Sequence, residues 1–324
     1  MNFSDNAMSA ILLCSYVGIK STDSLKPFSQ TEWNEFLDTI TRLGQKPDIV
    51  IKCQDQDFLK EAGYAPEYIE RVRRLTSRGG IAAFELEALE KKGIDIVTPF
   101  DPDYPVLLKR KLKKKTPPVL FYCGDITLAK KIGIGIAGSR NVDSAGIRFT
   151  QNLVKKAAEE HLVIYSGGAK GVDTVSEQTA VESGSAAVSF LADSLTSKIR
   201  KKEIIDSVIN KQRLLISDIK PEAGFTVARA MNRNKYIYAS SYGTFVVSSD
   251  YNKGGTWAGA NEALKNGWTK VFVWNHQDYE GNLKLIEKGA IPYELSEIAV
   301  YETITKQENE FEQMDLFSFA AKNN

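Results

Sequence analysis

Two segments constrain this chain's folding more than any others. Between Lys131 and Asp173 it reads KIGIGIAGSRNVDSAG and then, about one helix later, HLVIYSGGAKGVD. In each, a short apolar run stops at glycine and serine, and amphipathic sequence of helical length follows. Strands that end in glycine and alternate with helices fold as β–α–β units, whose parallel strands share one sheet. The alternation continues, predicting strands at Val119–Tyr122, Ile132–Ala137, Leu162–Ser166, Ala187–Leu191, Leu214–Ser217, Thr244–Ser248 and Lys270–Trp274. Helices are expected near Ala145–Glu160, Asp173–Ser183, Lys198–Asn210, Arg233–Ser240 and Trp257–Asn266. The expected fold is α/β, a doubly wound Rossmann-like parallel sheet preceded by a small helical domain.

Gly133, Gly135 and Gly138 match the G-x-G-x-x-G spacing of a dinucleotide fingerprint. In that fingerprint the glycines occupy the turn after the strand. Here Ile132, Ile134 and Ile136 alternate with the first two, which places those glycines inside the strand, and only Gly138 reaches the turn. The second strand ends in Ser-Gly-Gly instead of the acidic residue that would hold a ribose. No G-x-x-x-x-G-K-[ST] occurs anywhere. No cofactor is expected.

Residues 1–98 read as helices that end at glycines. TEWNEFLDTITRLG places Trp33, Phe36, Leu37, Ile40 and Leu43 at helical spacing, with Thr31 as N-cap and Gly44 as C-cap. Residues 99–300 form the sheet domain, and its leading segment carries six cations in the seven positions Lys109–Lys115. That run reads either as a solvated loop or as a patch for a nucleic-acid backbone. Net charge is +1, so any basic surface must be local. Three cysteines far apart and two histidines suit a reducing cytosol and argue against a structural zinc site. No apolar run approaches the length of a membrane span.

Four clusters fall at the carboxyl ends of the predicted strands, where open α/β sheets place their ligands. Gly138, Ser139 and Arg140 are read as opening the first helix. Ser166, Gly167, Gly168 and Lys170 supply a loop of backbone N–H groups beside a point charge, with Asp173 capping the next helix. Arg233, Asn234 and Lys235 are placed at a helix start. Lys253, Gly254, Gly255 and Thr256 repeat the strand–glycine–helix pattern. All four suit phosphate. Tyr236, Tyr238 and Trp257 read as core or, if exposed, as surfaces that stack a base.

At these residues the chain resembles the DprA/Smf family of DNA-processing proteins. GSRNVDSAG, SGGAKGVD, RNKYIYASSYGTFVV and KGGTWAGANEALKNGWTKVFVW are similar to the family's successive motifs, in order and spacing, over roughly residues 65–293. The resemblance implies a protein that binds single-stranded DNA, helps load the RecA recombinase in natural transformation, and holds the DNA backbone with Ser139, Arg140, Ser166, Gly167, Lys170, Arg233, Asn234 and Lys235; no catalytic constellation stands out in the residues, so no enzyme is expected. It leaves a homodimer among the expected assemblies, with the cytoplasm as location. Three departures mark a divergent branch serving genome defence or repair rather than transformation. Ala230-Met231 stands where Phe-Pro is usual, Asn275-His276 where Pro-Gly is usual, and too few residues follow the sheet for a winged-helix domain.

Residues 301–324 hold five acidic residues against two lysines and read as a disordered tail. Within it, Gln313-Met314-Asp315-Leu316-Phe317 resembles the Q-x-x-L-F peptide that docks on the bacterial sliding clamp, with Gln313, Leu316 and Phe317 as anchors. Two alternatives to a DNA-binding protein stay open on the residues. One is a nucleotide hydrolase in the manner of the phosphoribohydrolases, with Glu262 as its acid. The other is a sensor whose pocket takes a small nucleotide.

Overall fold

The computed structural model describes residues 3–20, 22–53 and 56–305. Instead of a single cut after residue 98, the chain forms two compact units, and the first receives two later segments. It holds Met1–Thr127, Leu191–Val208 and Leu215–Phe225; the second holds Leu128–Phe190, Ile209–Leu214 and Thr226–Asn324.

Along the chain, α1 (Asp5–Cys14), α2 (Gln30–Arg42), α3 (Ile49–Lys52), α4 (Asp57–Glu61), α5 (Pro66–Thr76) and α6 (Gly79–Glu90) come first. They are followed by β1 (Asp95–Val97), α7 (Val106–Leu112) and β2 (Leu120–Gly124). Then come β3 (Gly133–Ala137), α8 (Ser144–Glu159), β4 (Val163–Ser166), α9 (Val172–Glu182) and β5 (Ala187–Phe190). The segments α10 (Leu195–Lys198), α11 (Lys202–Ile209) and β6 (Arg213–Ser217) lead into α12 (Val227–Ser240) and β7 (Gly243–Val246). The last are α13 (Gly254–Asn266), β8 (Lys270–Trp274), α14 (Glu280–Glu287), β9 (Ile291–Tyr293) and α15 (Val300–Thr305).

In the first unit, α2 starts two residues earlier than expected because Ser29, not Thr31, is the cap. The Ser29 hydroxyl accepts from the Glu32 N–H at 3.3 Å, while the Glu32 carboxylate accepts from the Ser29 N–H at 2.7 Å. This reciprocal pair satisfies two otherwise orphaned donors. The helix buries Trp33, Phe36 and Ile40 with Leu13, Leu59, Val72 and Leu75, as its periodicity predicts. Leu37 is half-buried and Leu43 exposed. Ile96 of β1 lies opposite Phe121 of β2 in an antiparallel pair. The basic run is not a loop. It covers the end of α7 and a 3₁₀ turn at Lys113–Lys115. Within the unit Lys114 pairs with Asp38 at 2.8 Å, and Lys109 donates to the Pro99 carbonyl at 2.6 Å.

The second unit is the doubly wound part. Its strands run β5-β4-β3-β7-β8-β9, and every neighbouring pair is parallel: β3 with β4 and β7, β4 with β5, and β8 with β7 and β9. From β3 the chain winds outward through β4 and β5, then returns to β7 on the other flank. The direction of winding therefore reverses between β3 and β7, the position at which such sheets open a crevice. All five residues of β3 are buried, so it is a central strand. A Cβ on Gly133 would stand 2.1 Å from the Val163 carbonyl oxygen, and one on Gly135 would stand 2.5 Å from Thr244 Oγ1. Both glycines belong to the strand, as the alternation with isoleucine indicated. Ile134, Ile136, Leu153, Ile164, Phe245 and Phe272 form the core beside it.

Candidate functional site

Four loops of the second unit leave carboxyl ends of β3, β4, β7 and β8. The β3 loop is rigidly held at Ser139. Its N–H donates to Ser248 Oγ at 3.1 Å, its hydroxyl accepts from the Asn141 N–H at 3.1 Å, and its carbonyl accepts from the Val172 N–H at 3.2 Å. Ser139 and Arg140 do not open the helix, because α8 begins only at Ser144. Its cap is Asp143, whose Oδ1 accepts from the Gly146 N–H at 2.8 Å and from the Tyr279 hydroxyl at 2.7 Å. Those two bonds hold the Asp143 carboxyl below its ordinary value, the Gly146 N–H most of all. Arg140 is exposed. Gly138 is a packing position: a Cβ there would sit 2.4 Å from Val172 Cγ2.

The β4 loop does not present a nest of free donors. Gly168 N–H donates to Glu177 Oε1 at 2.8 Å, and Ala169 N–H donates to Asp173 Oδ2 at 3.3 Å. Both carboxylates come from α9, so that helix turns the loop's own N–H groups inward. Asp173 is therefore not the helix cap, a position taken by Gly171. Gly171 has φ +76°, and a Cβ on it would lie 2.4 Å from the Ser139 carbonyl oxygen, so the two loops touch through backbone there. Ser166 is fully buried, its hydroxyl near the Ile136 carbonyl at 3.4 Å, and cannot meet a ligand directly. Gly167 is covered as well. Lys170 is the exposed charge of this loop.

The third cluster departs furthest from expectation. Thr226 caps α12 by accepting from the Arg229 N–H at 3.2 Å, so the helix begins six residues before Arg233. Arg233, Asn234 and Lys235 thus sit in its middle turns. Arg233 is 4% exposed and pairs with Asp173, Nη1 to Oδ2 at 3.7 Å. Beside that pair runs a second one, Arg213 Nη1 to Glu177 Oε2 at 2.8 Å, equally buried. Burial pushes both carboxyls up and the two arginines pull them back, Arg233 acting on Asp173 and Arg213 on Glu177. Asn234 Nδ2 donates to the Gly255 carbonyl at 3.0 Å and ties α12 to the start of α13. Lys235 donates to Asn232 Oδ1 at 2.6 Å and lies 5.1 Å from the centre of the Tyr236 ring.

At the β7 loop, Asn252 is left-handed (φ 56°) and Lys253 stands at the N-cap of α13 without a side-chain cap bond. Lys253 and Gly254 are exposed; Gly255 and Thr256 are half-buried. Tyr236, Tyr238 and Trp257 are core residues. Glu262 lies in the third turn of α13, about 12 Å along the axis from its first residue at 1.5 Å rise per residue. That distance separates it from the loops a nucleotide phosphate would occupy.

Of the predicted residues, the structure brings Arg140, Lys170 and Lys253 to the exposed carboxyl edge of β3, β4 and β7. Ser166, Gly167 and Arg233 go beneath it. Glu177, Arg213, Asp143 and Tyr279 were not anticipated. Asp173, Ser176, Glu177 and Ala180 share one face of α9 at helical spacing. With Arg213 opening a strand whose next three residues, Leu214, Leu215 and Ile216, are apolar, that pattern was the available signal for a buried ion pair. Among the described residues no group of three or more His, Cys, Asp or Glu side chains could hold a metal ion. No helix there is long and apolar enough to cross a membrane.

The profile of the family described as DNA recombination-mediator protein A matches residues 95–303. Among curated proteins, the DNA processing protein DprA of Bacillus subtilis is 29% identical over 211 residues, 63% of this chain and 70% of its own length. Protein Smf of Synechocystis is 26% identical over 241 residues, 70% of this chain and 58% of its own length. The crystal structure of DprA from Streptococcus pneumoniae aligns with a TM-score of 0.65 at 19% identity, covering 90% of this chain and 95% of that one. A structure of DprA from Helicobacter pylori, described for its single-stranded DNA binding mode, aligns at 0.53 and 20% identity over 67% of this chain and 96% of its own. With the Rossmann-like sheet and the ordered motifs along its edge, the chain belongs to the DNA recombination-mediator protein A family, the DprA/Smf DNA-processing proteins.

Proposed function

We propose that this protein binds single-stranded DNA along the carboxyl edge of β4, β3 and β7, acting as a binding protein and not as a catalyst. The observation that carries the reading is the sorting of charge at that edge. Arg140, Lys170 and Lys253 are exposed on three neighbouring loops, while Asp173 and Glu177 are buried against Arg233 and Arg213. Cations in a row suit a polymer of phosphates better than a single pyrophosphate, and their effect is electrostatic and sequence-tolerant. The carboxylates serve the loop's backbone, which leaves neither placed as a general base for a reacting atom. Gly138, Ser139, Ser166, Gly167, Gly168, Arg233 and Asn234 shape this edge from within, and Lys235, Gly254, Gly255 and Thr256 extend it.

Fluorescence anisotropy with a labelled oligonucleotide across a salt series tests the reading. Arg140→Glu should weaken binding and flatten the dependence of log K on log salt, by about 0.7 for each phosphate that is no longer neutralised. Unchanged affinity and slope would remove Arg140 from the site. Tight binding of mononucleotides with none of the strand would instead favour the nucleotide sensor.

The family points to a finer role, in which the bound strand passes to a recombinase of the RecA type. Faster filament assembly on strands precoated with single-strand-binding protein checks it, and sedimentation velocity checks the homodimer. The clamp-like peptide at Gln313, Leu316 and Phe317 lies outside the described residues. Its sequence supports docking of two adjacent apolar anchors in a hydrophobic groove. Recovery on immobilised clamp should fall when Leu316 and Phe317 become alanine, and undiminished recovery removes the idea.

A further inference from the structure

The six cations at Lys109–Lys115 belong to the first unit and take no part in the edge described above. Between residues 99 and 118 two carboxylates accompany them, Asp101 and Asp103. Asp101 is engaged by Thr98, accepting from its N–H at 2.7 Å and from its hydroxyl at 2.8 Å. Lys109, Arg110 and Lys113–Lys115 are exposed. A helix C-terminus favours the cations in the last turn of α7, but not the three that follow it in the 3₁₀ turn. Lys113 has φ 52° and ψ −118°, the first central position of a type II′ turn, which glycine fills without steric cost. A lysine there brings a charge to a seat that the turn alone would give to glycine.

The run is anchored at both ends. Asn34 Nδ2 donates to the Lys114 carbonyl at 2.8 Å, and Lys114 pairs with Asp38, one turn further along α2. That pair is exposed on both sides, where salt screens it and a phosphate can compete for the ammonium. At the other end the Lys109 ammonium donates to the Pro99 carbonyl at 2.6 Å, one residue before Phe100. Phe100 is 37% exposed, and its ring meets the buried Trp33 edge to face with centroids 6.4 Å apart. We propose that the exposed cations of this run hold phosphates of a single DNA strand, with Phe100 meeting a base beside Lys109. This second contact surface does not depend on the edge proposed for the second unit. Consecutive exposed cations suit a polymer of phosphates, and a lone exposed ring suits a base. A membrane surface would need a broad apolar face beside them, whereas α7 buries Leu108 and Leu112 and exposes Val106.

Anisotropy of labelled oligo-dT across a salt series tests the full chain with Arg110→Glu, Lys113→Gly and Phe100→Leu, beside Arg140→Glu of the second unit. Arg110→Glu and Lys113→Gly should each weaken binding and flatten the slope of log K against log salt, by about 0.7 for each phosphate released. Lys113→Gly should do so without lowering the thermal midpoint, because glycine suits that turn, so its loss is not one of folding. Phe100→Leu should bind oligo-dT about fivefold or more weakly, yet bind an abasic strand of equal length as wild type does. Unchanged affinity and slope in both cation variants overturn the surface. Loss in those variants with none in Arg140→Glu upholds it and overturns the second-unit edge. Wild-type behaviour of Phe100→Leu, or an equal loss on both strands, overturns the base contact. Binding to phosphatidylserine vesicles that Arg110→Glu abolishes, with oligo-dT binding intact, assigns the run to a membrane instead. Failure of wild type to bind oligo-dT overturns both surfaces.

Discussion

The Arg233 guanidinium fills the space that a side chain at position 167 would need: a Cβ built on Gly167 would stand 1.2 Å from Arg233 Nη1. The glycine of the β4 loop and the arginine of α12 are thus one packing unit. The guanidinium lies over bare backbone, where it also meets Asp173. What looks like two separate motifs in the sequence is a single buried joint under the carboxyl edge of β4.

Gly167→Ala should therefore displace Arg233. Overpacking of this kind costs about 1–3 kcal/mol, and the cost is steep here because the obstructing atoms belong to a paired charge. A lower urea midpoint with unchanged m would report it, together with weaker DNA binding as the loop shifts. Wild-type stability would mean that the guanidinium has another seat.

The second joint is Arg213 with Glu177. Arg213→Ala leaves a carboxylate buried without its cation and should cost about 3–5 kcal/mol in equilibrium unfolding. Replacing both, as Arg213→Met with Glu177→Leu, should recover part of that stability, because no charge is then stranded. DNA affinity should not recover with it: Glu177 also holds the Gly168 N–H at 2.8 Å, and the double variant lacks that bond. Recovery of both properties together would show that the loop does not depend on Glu177.

In the first unit, Glu32 gives a pH-dependent signature. The Arg71 guanidinium, donating to its carboxylate, holds its pKa at about 2 against an ordinary 4.5. A carboxyl with a depressed folded-state pKa adds stability above its unfolded value and loses it as pH falls through the folded one. The contribution is therefore present above about pH 4.5 and declines towards about pH 2. Glu32→Gln should cost about 1–2 kcal/mol at neutral pH, discounted for a side chain about one-third exposed, and progressively less in acid. Burial pushes Asp173 and Glu177 the other way, so their contributions weaken as pH rises through their range. Subtracting the variant's acid titration from the parent's isolates Glu32, and parallel curves would show that the Arg71 bond carries no stability.

The sequence was most legible where one residue type dictates one local outcome. The isoleucine–glycine alternation put Gly133 and Gly135 inside β3, and every strand predicted in the sheet domain forms within a residue or two of its expected bounds. Helix starts were less legible. A cap is chosen among neighbouring hydroxyls and carboxylates by geometry, so Ser29 displaced Thr31 and Asp143 displaced Ser139. For α12 the cap at Thr226 came earlier than the basic triplet suggested, which moved Arg233 from a helix mouth to its interior.

The sequence by itself determined the succession of strands and helices, the parallel sheet and the edge on which its loops gather, since periodicity and glycine placement act over a few residues. Tertiary structure alone decided which charges face solvent. Arg140, Lys170, Arg213 and Arg233 are all basic residues near strand ends or loops, yet two are exposed and two are buried. The difference lies in what distant segments bring against them: a glycine that admits a guanidinium, and two carboxylates on one face of α9. Those same carboxylates turn the Gly168 and Ala169 N–H groups inward, which a reading of the loop in isolation leaves outward. Burial of a charge depends on the partners waiting for it, and those partners are neighbours only after folding.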